Sequence, residues 1–202
     1  MARFTEDYLR KRGQRVKAAR GQRDGRKILL EDMRKAASQQ RWDVFLSHSF
    51  QDKDDDALIG LVDQFTSLGL SVYIDWKSDG QLDRADVSPA TAETLRKRMK
   101  ASRSLVFAYS TNSAISPWVP WELGFSDAAV GRVAVAPITP SLAGTAGKAT
   151  GQEYLGLYSV VSHEKSKEGV PKLWVEAWED SSEYVEFGAW LGGKDPYKRP
   201  TQ

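Results

Sequence analysis

The sequence predicts an α/β fold built on a central parallel sheet. Short apolar runs with the length and composition of buried strands recur along the chain, at Trp42–His48, Leu70–Asp75, Ser104–Ser110 and Arg132–Ile138. Segments of helical periodicity separate them. That alternation of strand and helix implies right-handed crossovers and a sheet covered on both faces.

Taken in order, residues 1–41 hold two helical patterns separated by Gly21 and Gly25, the second carrying Ile28, Leu29, Met33, Ala36 and Ala37. The first strand ends in Ser47-His48-Ser49, where a serine is suited to cap the following helix. Asp52 to Asp56 supply a negative helix start, and Ala57, Leu58, Leu61, Val62 and Phe65 continue the apolar face to Leu68 before Gly69 stops it. After the second strand comes a polar loop, Trp76–Val87. Ser88-Pro89 then caps a helix that runs to about Ala101. Beyond the third strand, Ser116-Pro117 reads as another helix start, placing Trp118 and Glu122 four residues apart on one face. The fourth strand follows.

Past Ile138 the pattern weakens. Ser141–Gly151 reads as loop, Tyr154–Val161 and Leu173–Val175 as short strands, and Ser182–Leu191 as a closing helix stopped by Gly192-Gly193. The organisation expected is a basic helical N-terminal extension (1–41), one α/β domain (42–191) and a C-terminal tail (192–202).

At 202 residues, 41% hydrophobic and 28% charged, the composition is that of a globular domain with a substantial core. The chain has no cysteine, which excludes disulfides, thiolate metal sites and a cysteine nucleophile, and only His48 and His163 are available for histidine chemistry. No apolar run reaches the roughly 18–20 residues of a membrane helix, and the N-terminus lacks a signal-peptide core; a cytoplasmic location and no membrane partner are expected. The formal charge of +2 is unevenly spread, since residues 1–40 carry a net +7 against −5 for the remainder. Packing of this basic arm on the domain or on a neighbouring subunit is favoured over nucleic acid, because aromatics are not interleaved with the charges as stacking on single strands requires. There is no Gly-x-Gly-x-x-Gly after a strand and no Walker sequence, so hydride transfer and nucleoside triphosphate hydrolysis are unsupported.

Three separated stretches share one pattern. Asp43-Val-Phe-Leu-Ser-His-Ser49 with Asp52, Val72-Tyr-Ile-Asp75 with its loop, and Ser110 to Gly124 with Ser-x-Trp-x-x-x-Glu-Leu resemble, in order and spacing, the boxes of Toll/interleukin-1 receptor (TIR) domains, especially bacterial TIR NADases. The resemblance covers about residues 42–190. It implies a flavodoxin-like three-layer fold with strand order 2-1-3-4-5, and cleavage of the nicotinamide–ribose bond of NAD+, which serves as substrate with no further cofactor. It also implies self-association through TIR interfaces and, in anti-phage defence, an effector that responds to the product.

On that resemblance Glu122 is the catalytic carboxylate. Nicotinamide departs from a cationic pyridinium as a neutral molecule and needs no general acid. What remains is an oxocarbenium-like sugar that a single carboxylate can stabilise, unlike ordinary glycoside hydrolysis with its two carboxyl groups. Trp118 would lie against the nicotinamide or its ribose, or else pack in the core, with Trp121 able to take the packing role instead. Pro120 departs from the more usual polar residue between them.

Ser47, His48 and Ser49 are placed to line the cleft, with a capping role open to the serines and a general-base role to His48. Asp75, Trp76, Lys77 and Arg84, at the end of the second strand and in the so-called BB loop, either contact the adenine-ribose end of NAD+, dock into a neighbouring subunit or form a solvated loop. Tyr109 and Ser110 end the third strand and would floor the pocket. The activity expected is that of an NAD+ glycohydrolase or ADP-ribosyl cyclase; the alternative is a non-enzymatic adaptor that works by self-association.

Overall fold

The computed structural model describes residues 2–21, 24–25, 27–29, 31–32, 41–49, 56–74, 88–110, 118–139, 153–178 and 180–198. Its elements are β1 (Phe4–Thr5), α1 (Glu6–Ala19), β2 (Val44–Ser47), α2 (Asp56–Thr66), β3 (Val72–Ile74), α3 (Pro89–Lys100), β4 (Leu105–Tyr109), α4 (Val119–Val130), β5 (Val133–Thr139), a 3₁₀ turn (Glu153–Leu157), β6 (Ser159–Lys165), β7 (Pro171–Glu176), β8 (Glu183–Glu186), α5 (Phe187–Leu191) and β9 (Tyr197–Lys198).

The sheet runs β3-β2-β4-β5-β6-β7-β8-β9, parallel from β3 to β6 and antiparallel beyond. Its parallel part has the 2-1-3-4-5 order expected, counting from β2. Alternation along the strands divides the core into two layers. Val44, Leu46, Val106, Ala108, Ala134 and Ala136 pack toward α1, α2 and α5. Phe45, Leu105, Phe107, Val133 and Val135 pack toward α3, α4 and the 3₁₀ turn.

Several helix ends follow the local chemistry of the sequence. Ser88 Oγ accepts the Thr91 amide at 3.2 Å, with Pro89 in the first turn of α3. Gly69 adopts φ +80°, which suits glycine and ends the turn after α2. At α4 the outcome differs. The helix begins at Val119 with Trp118 at the capping position and no side-chain cap, and the first-turn proline is Pro120; Ser116 and Pro117 lie outside the described residues.

The C-terminal third also departs from expectation. Residues 183–186 form a strand and only Phe187–Leu191 is helical, while Glu153–Leu157 is a 3₁₀ turn and the strand expected from Tyr154 begins at Ser159. Tyr197–Lys198, in the expected tail, pairs with β8.

The N-terminal arm is woven into the sheet. β5 and β6 pair only at Ala134–Ser159 and Val135–Val160. Further along β5, β1 pairs with Ile138 and Thr139, and Ala2 exchanges backbone hydrogen bonds of 3.0 and 3.1 Å with His163 of β6. Thr5 then caps α1 by accepting the Tyr8 amide at 3.2 Å.

The basic face of α1 meets the acidic face of α2. Arg12 pairs with Asp63 at 2.6 Å, Lys17 pairs with Asp56, and the Tyr8 hydroxyl donates to Gln64 at 2.8 Å. The lopsided charge of the sequence is thus met in part by the domain's own carboxylates.

The His163 ring stacks with Tyr8 at 4.4 Å and Phe4 at 5.1 Å. Burial holds its imidazole below the ordinary value, with Arg12 adding to the effect and Glu164 opposing it. A depressed imidazole contributes stability above the unfolded-state value and loses it as pH falls through the folded one. Between about pH 7.5 and about pH 5.5, His163→Phe should therefore lose less stability in urea unfolding than the unchanged protein does.

No helix among the described residues is long and apolar enough to cross a membrane.

Candidate active site

Parallel strands release their chains at one edge of the sheet, and ligands collect at that edge. β2 ends there with Ser47, whose register partner on β4 is Phe107. Tyr109 ends β4 two residues further on, and the chain returns through α4, which carries Glu122 in its first turn. A carboxylate in the first turn of a helix is favoured by the helix dipole.

Glu122 is fully buried, at 0% exposure, and the Ser47 hydroxyl donates to its Oε2 at 2.5 Å. The Glu122 amide donates to the Trp118 carbonyl at 2.9 Å, which closes the first helical turn and fixes the two residues relative to one another. The Ser47 hydroxyl, a candidate to line the cleft or to cap the following helix, thus holds the Glu122 carboxylate.

Trp118 is 7% exposed and packs edge-on against Trp121 at 5.5 Å. Trp121 in turn stacks on Phe125 at 5.8 Å and lies under the Arg96 guanidinium at 5.7 Å, so it joins α4 to α3. Of the two indoles, Trp121 is the one that bridges the helices, while Trp118 lies in the cluster of Phe107, Val119 and Leu123.

Ser49 and His48 are buried just past β2. His48 follows the last residue of β2, and its Nδ1 makes a long 3.5 Å contact with the Leu46 carbonyl. Tyr109 and Ser110 are half-buried at the end of β4, with the Tyr109 ring 6.0 Å from that of Phe107. Asp75, Trp76, Lys77 and Arg84 lie outside the described residues.

Tyr154 did not figure among the sequence candidates. It packs against the same apolar cluster as Tyr109, and burial together with the nearby Tyr109 phenol holds its hydroxyl above the ordinary tyrosine value. Only its place in a short apolar stretch marks it in the sequence, and any core tyrosine shares that signal.

A 2-1-3-4-5 parallel sheet with a buried carboxylate on the helix after its third strand has the architecture of a TIR domain. No family model matches the chain. Among curated proteins it is 42% identical, over 151 residues, to "Probable 3' cyclic ADP-D-ribose synthase ThsB'" of Bacillus cereus (strain MSX-D12), a match that covers 74% of this chain and 75% of that protein. It is also 41% identical over 86 residues to "Putative cyclic ADP-D-ribose synthase TIR2" of Cytobacillus dafuensis, covering 42% of this chain and 22% of that larger protein. The chain belongs to the bacterial TIR-domain family that contains these proteins.

Proposed function

We propose that this protein cleaves the nicotinamide–ribose bond of NAD+ and transfers the ADP-ribosyl group to water or to an acceptor within the same molecule, giving ADP-ribose or a cyclic ADP-ribose. The observation that carries the reading is the buried Ser47–Glu122 pair at the ligand-collecting edge of the sheet. The names of the two relatives support the same chemistry.

In this reading the C–N bond breaks with its electron pair moving to the pyridinium nitrogen, and nicotinamide leaves neutral. Positive charge then develops on the ribosyl carbon and ring oxygen, and the Glu122 carboxylate stabilises it while accepting from the ribose hydroxyls. Ser47 aims that carboxylate. Trp118 fixes the first turn of α4 and presents an indole to the cationic ring. An acceptor completes the reaction by bonding to the anomeric carbon: a water or hydroxyl oxygen, which then releases its proton, or an adenine nitrogen. Ser49, Tyr109 and Ser110 would line the pocket with Asp75, Trp76, Lys77 and Arg84, and the product would act as a cytoplasmic signal to an effector in anti-phage defence.

The test is to incubate the purified protein at high concentration with NAD+ and to follow nicotinamide. Steady release supports the reading; NAD+ left intact by folded, concentrated protein would favour a self-associating scaffold. Ser47→Ala removes the hydrogen bond that orients Glu122 and should lower the turnover rate about 10-fold, measured under saturating NAD+.

A further inference from the structure

The Tyr154 hydroxyl, on the same side of the sheet as Glu122, is left without a partner among the described residues. The 3₁₀ turn Glu153–Leu157 follows β5 in the chain and is anchored by Leu155, fully buried in the cluster that contains Phe107, Trp118 and Leu123. That anchor sets Tyr154 against the cluster alongside Tyr109, at the end of β4. The Tyr154 hydroxyl oxygen is shielded from solvent and has no hydrogen-bond partner among the described residues.

Buried hydroxyls are almost always paired, because an unpaired one forfeits its hydrogen bonds to water and gains nothing in return. Ser126, one turn beyond Glu122, is also unpaired, but a helical serine can rotate onto the carbonyl of the preceding turn. The tyrosine oxygen sits at the end of a rigid ring and has no such local acceptor within reach of a single rotation.

We propose that Tyr154 is a substrate-positioning residue whose hydroxyl donates a hydrogen bond to an oxygen of the ADP-ribosyl part of the bound dinucleotide. This rests on the NAD+-cleaving function proposed above and adds to it a donor separate from the Ser47–Glu122 pair. A tyrosine phenol is protonated at neutral pH, as a donor must be, and burial shifts that of Tyr154 further in the same direction. An unpaired buried hydroxyl costs stability, and a hydrogen bond to the dinucleotide would satisfy it.

The test compares wild type, Tyr154→Phe and Glu122→Gln in three measurements: nicotinamide release, binding of ADP-ribose by calorimetry, and thermal unfolding. Tyr154→Phe keeps the ring and its packing. The expected result is kcat/KM for NAD+ lowered about 5- to 30-fold and ADP-ribose binding weakened by a similar factor, with a melting temperature equal to or above that of wild type. A Tyr154→Phe protein that matches wild type in kcat/KM and in ADP-ribose binding overturns the positioning role. So does a loss of activity that merely follows a lowered melting temperature, since that marks a structural hydroxyl. If wild type itself neither cleaves NAD+ nor binds ADP-ribose, the proposed function fails and the role of Tyr154 with it.

Discussion

Glu122→Gln is expected to lower nicotinamide release from NAD+ about 100- to 1,000-fold while the protein still unfolds cooperatively. Glutamine has nearly the volume of glutamate, and its amide oxygen can still accept from Ser47, now 2.5 Å from the carboxylate. Packing and the tie between β2 and α4 are therefore largely kept. What disappears is the negative charge, in a fully buried position where solvent does not screen it. In the proposed reaction nicotinamide departs without a proton donor, which would leave stabilising the ribosyl cation as the main electrostatic task of the protein. If Glu122 served only to tie α4 to β2, activity would fall in step with stability and no further. Initial rates and urea unfolding on the same preparations separate the two.

The largest effect on stability is expected from Gly60→Ala. A Cβ at Gly60 would stand 2.0 Å from the backbone oxygen of Leu9, and one at Gly13 would stand 2.0 Å from that of Asp56. Two glycines at reciprocal positions thus let the backbones of α1 and α2 touch. A backbone atom cannot swing aside as a side chain can, so the substitution must push the helices apart. That shift would also strain the Arg12–Asp63 and Lys17–Asp56 pairs and the Tyr8–Gln64 hydrogen bond that flank the crossing. A loss of about 3 kcal/mol in unfolding free energy is expected. Gly124→Ala serves as the control, since a Cβ there meets nothing within 4 Å on the exposed side of α4; it should be neutral or stabilising by about 0.5–1 kcal/mol.

Much of this architecture is legible in the sequence, for physical reasons that can be named. β2, β4 and β5 are central strands buried on both faces, so they read as continuous apolar runs. Ser88-Pro89 marks a helix start because serine can accept an amide and proline has none to lose. Glu122 stood out through its spacing from Trp118 and its place after a strand.

The harder parts are those where distant chain segments decide the structure. β1 is two residues long and has no period to detect; only β5 and β6, drawing apart more than 130 residues later, make it a strand. Tyr184, Val185, Phe187 and Trp190 fit a helical spacing, yet pairing with β7 holds the first two in a strand and leaves a single short helix for the rest. A short apolar segment does not distinguish the two states by itself. At the site, the direction of the Ser47 hydroxyl depends on α4 arriving 75 residues later, so local sequence allows a cap as readily as a partner for Glu122.

The central claim, that a buried carboxylate at the edge of this sheet drives the departure of nicotinamide, is tested most directly by mass analysis of the products formed from NAD+ by concentrated wild-type protein. Free nicotinamide is expected in equal amount with an ADP-ribosyl product, either ADP-ribose or a cyclic ADP-ribose, lighter by one water. NAD+ recovered whole from a folded sample, or nicotinamide released just as fast by Glu122→Gln, would contradict it.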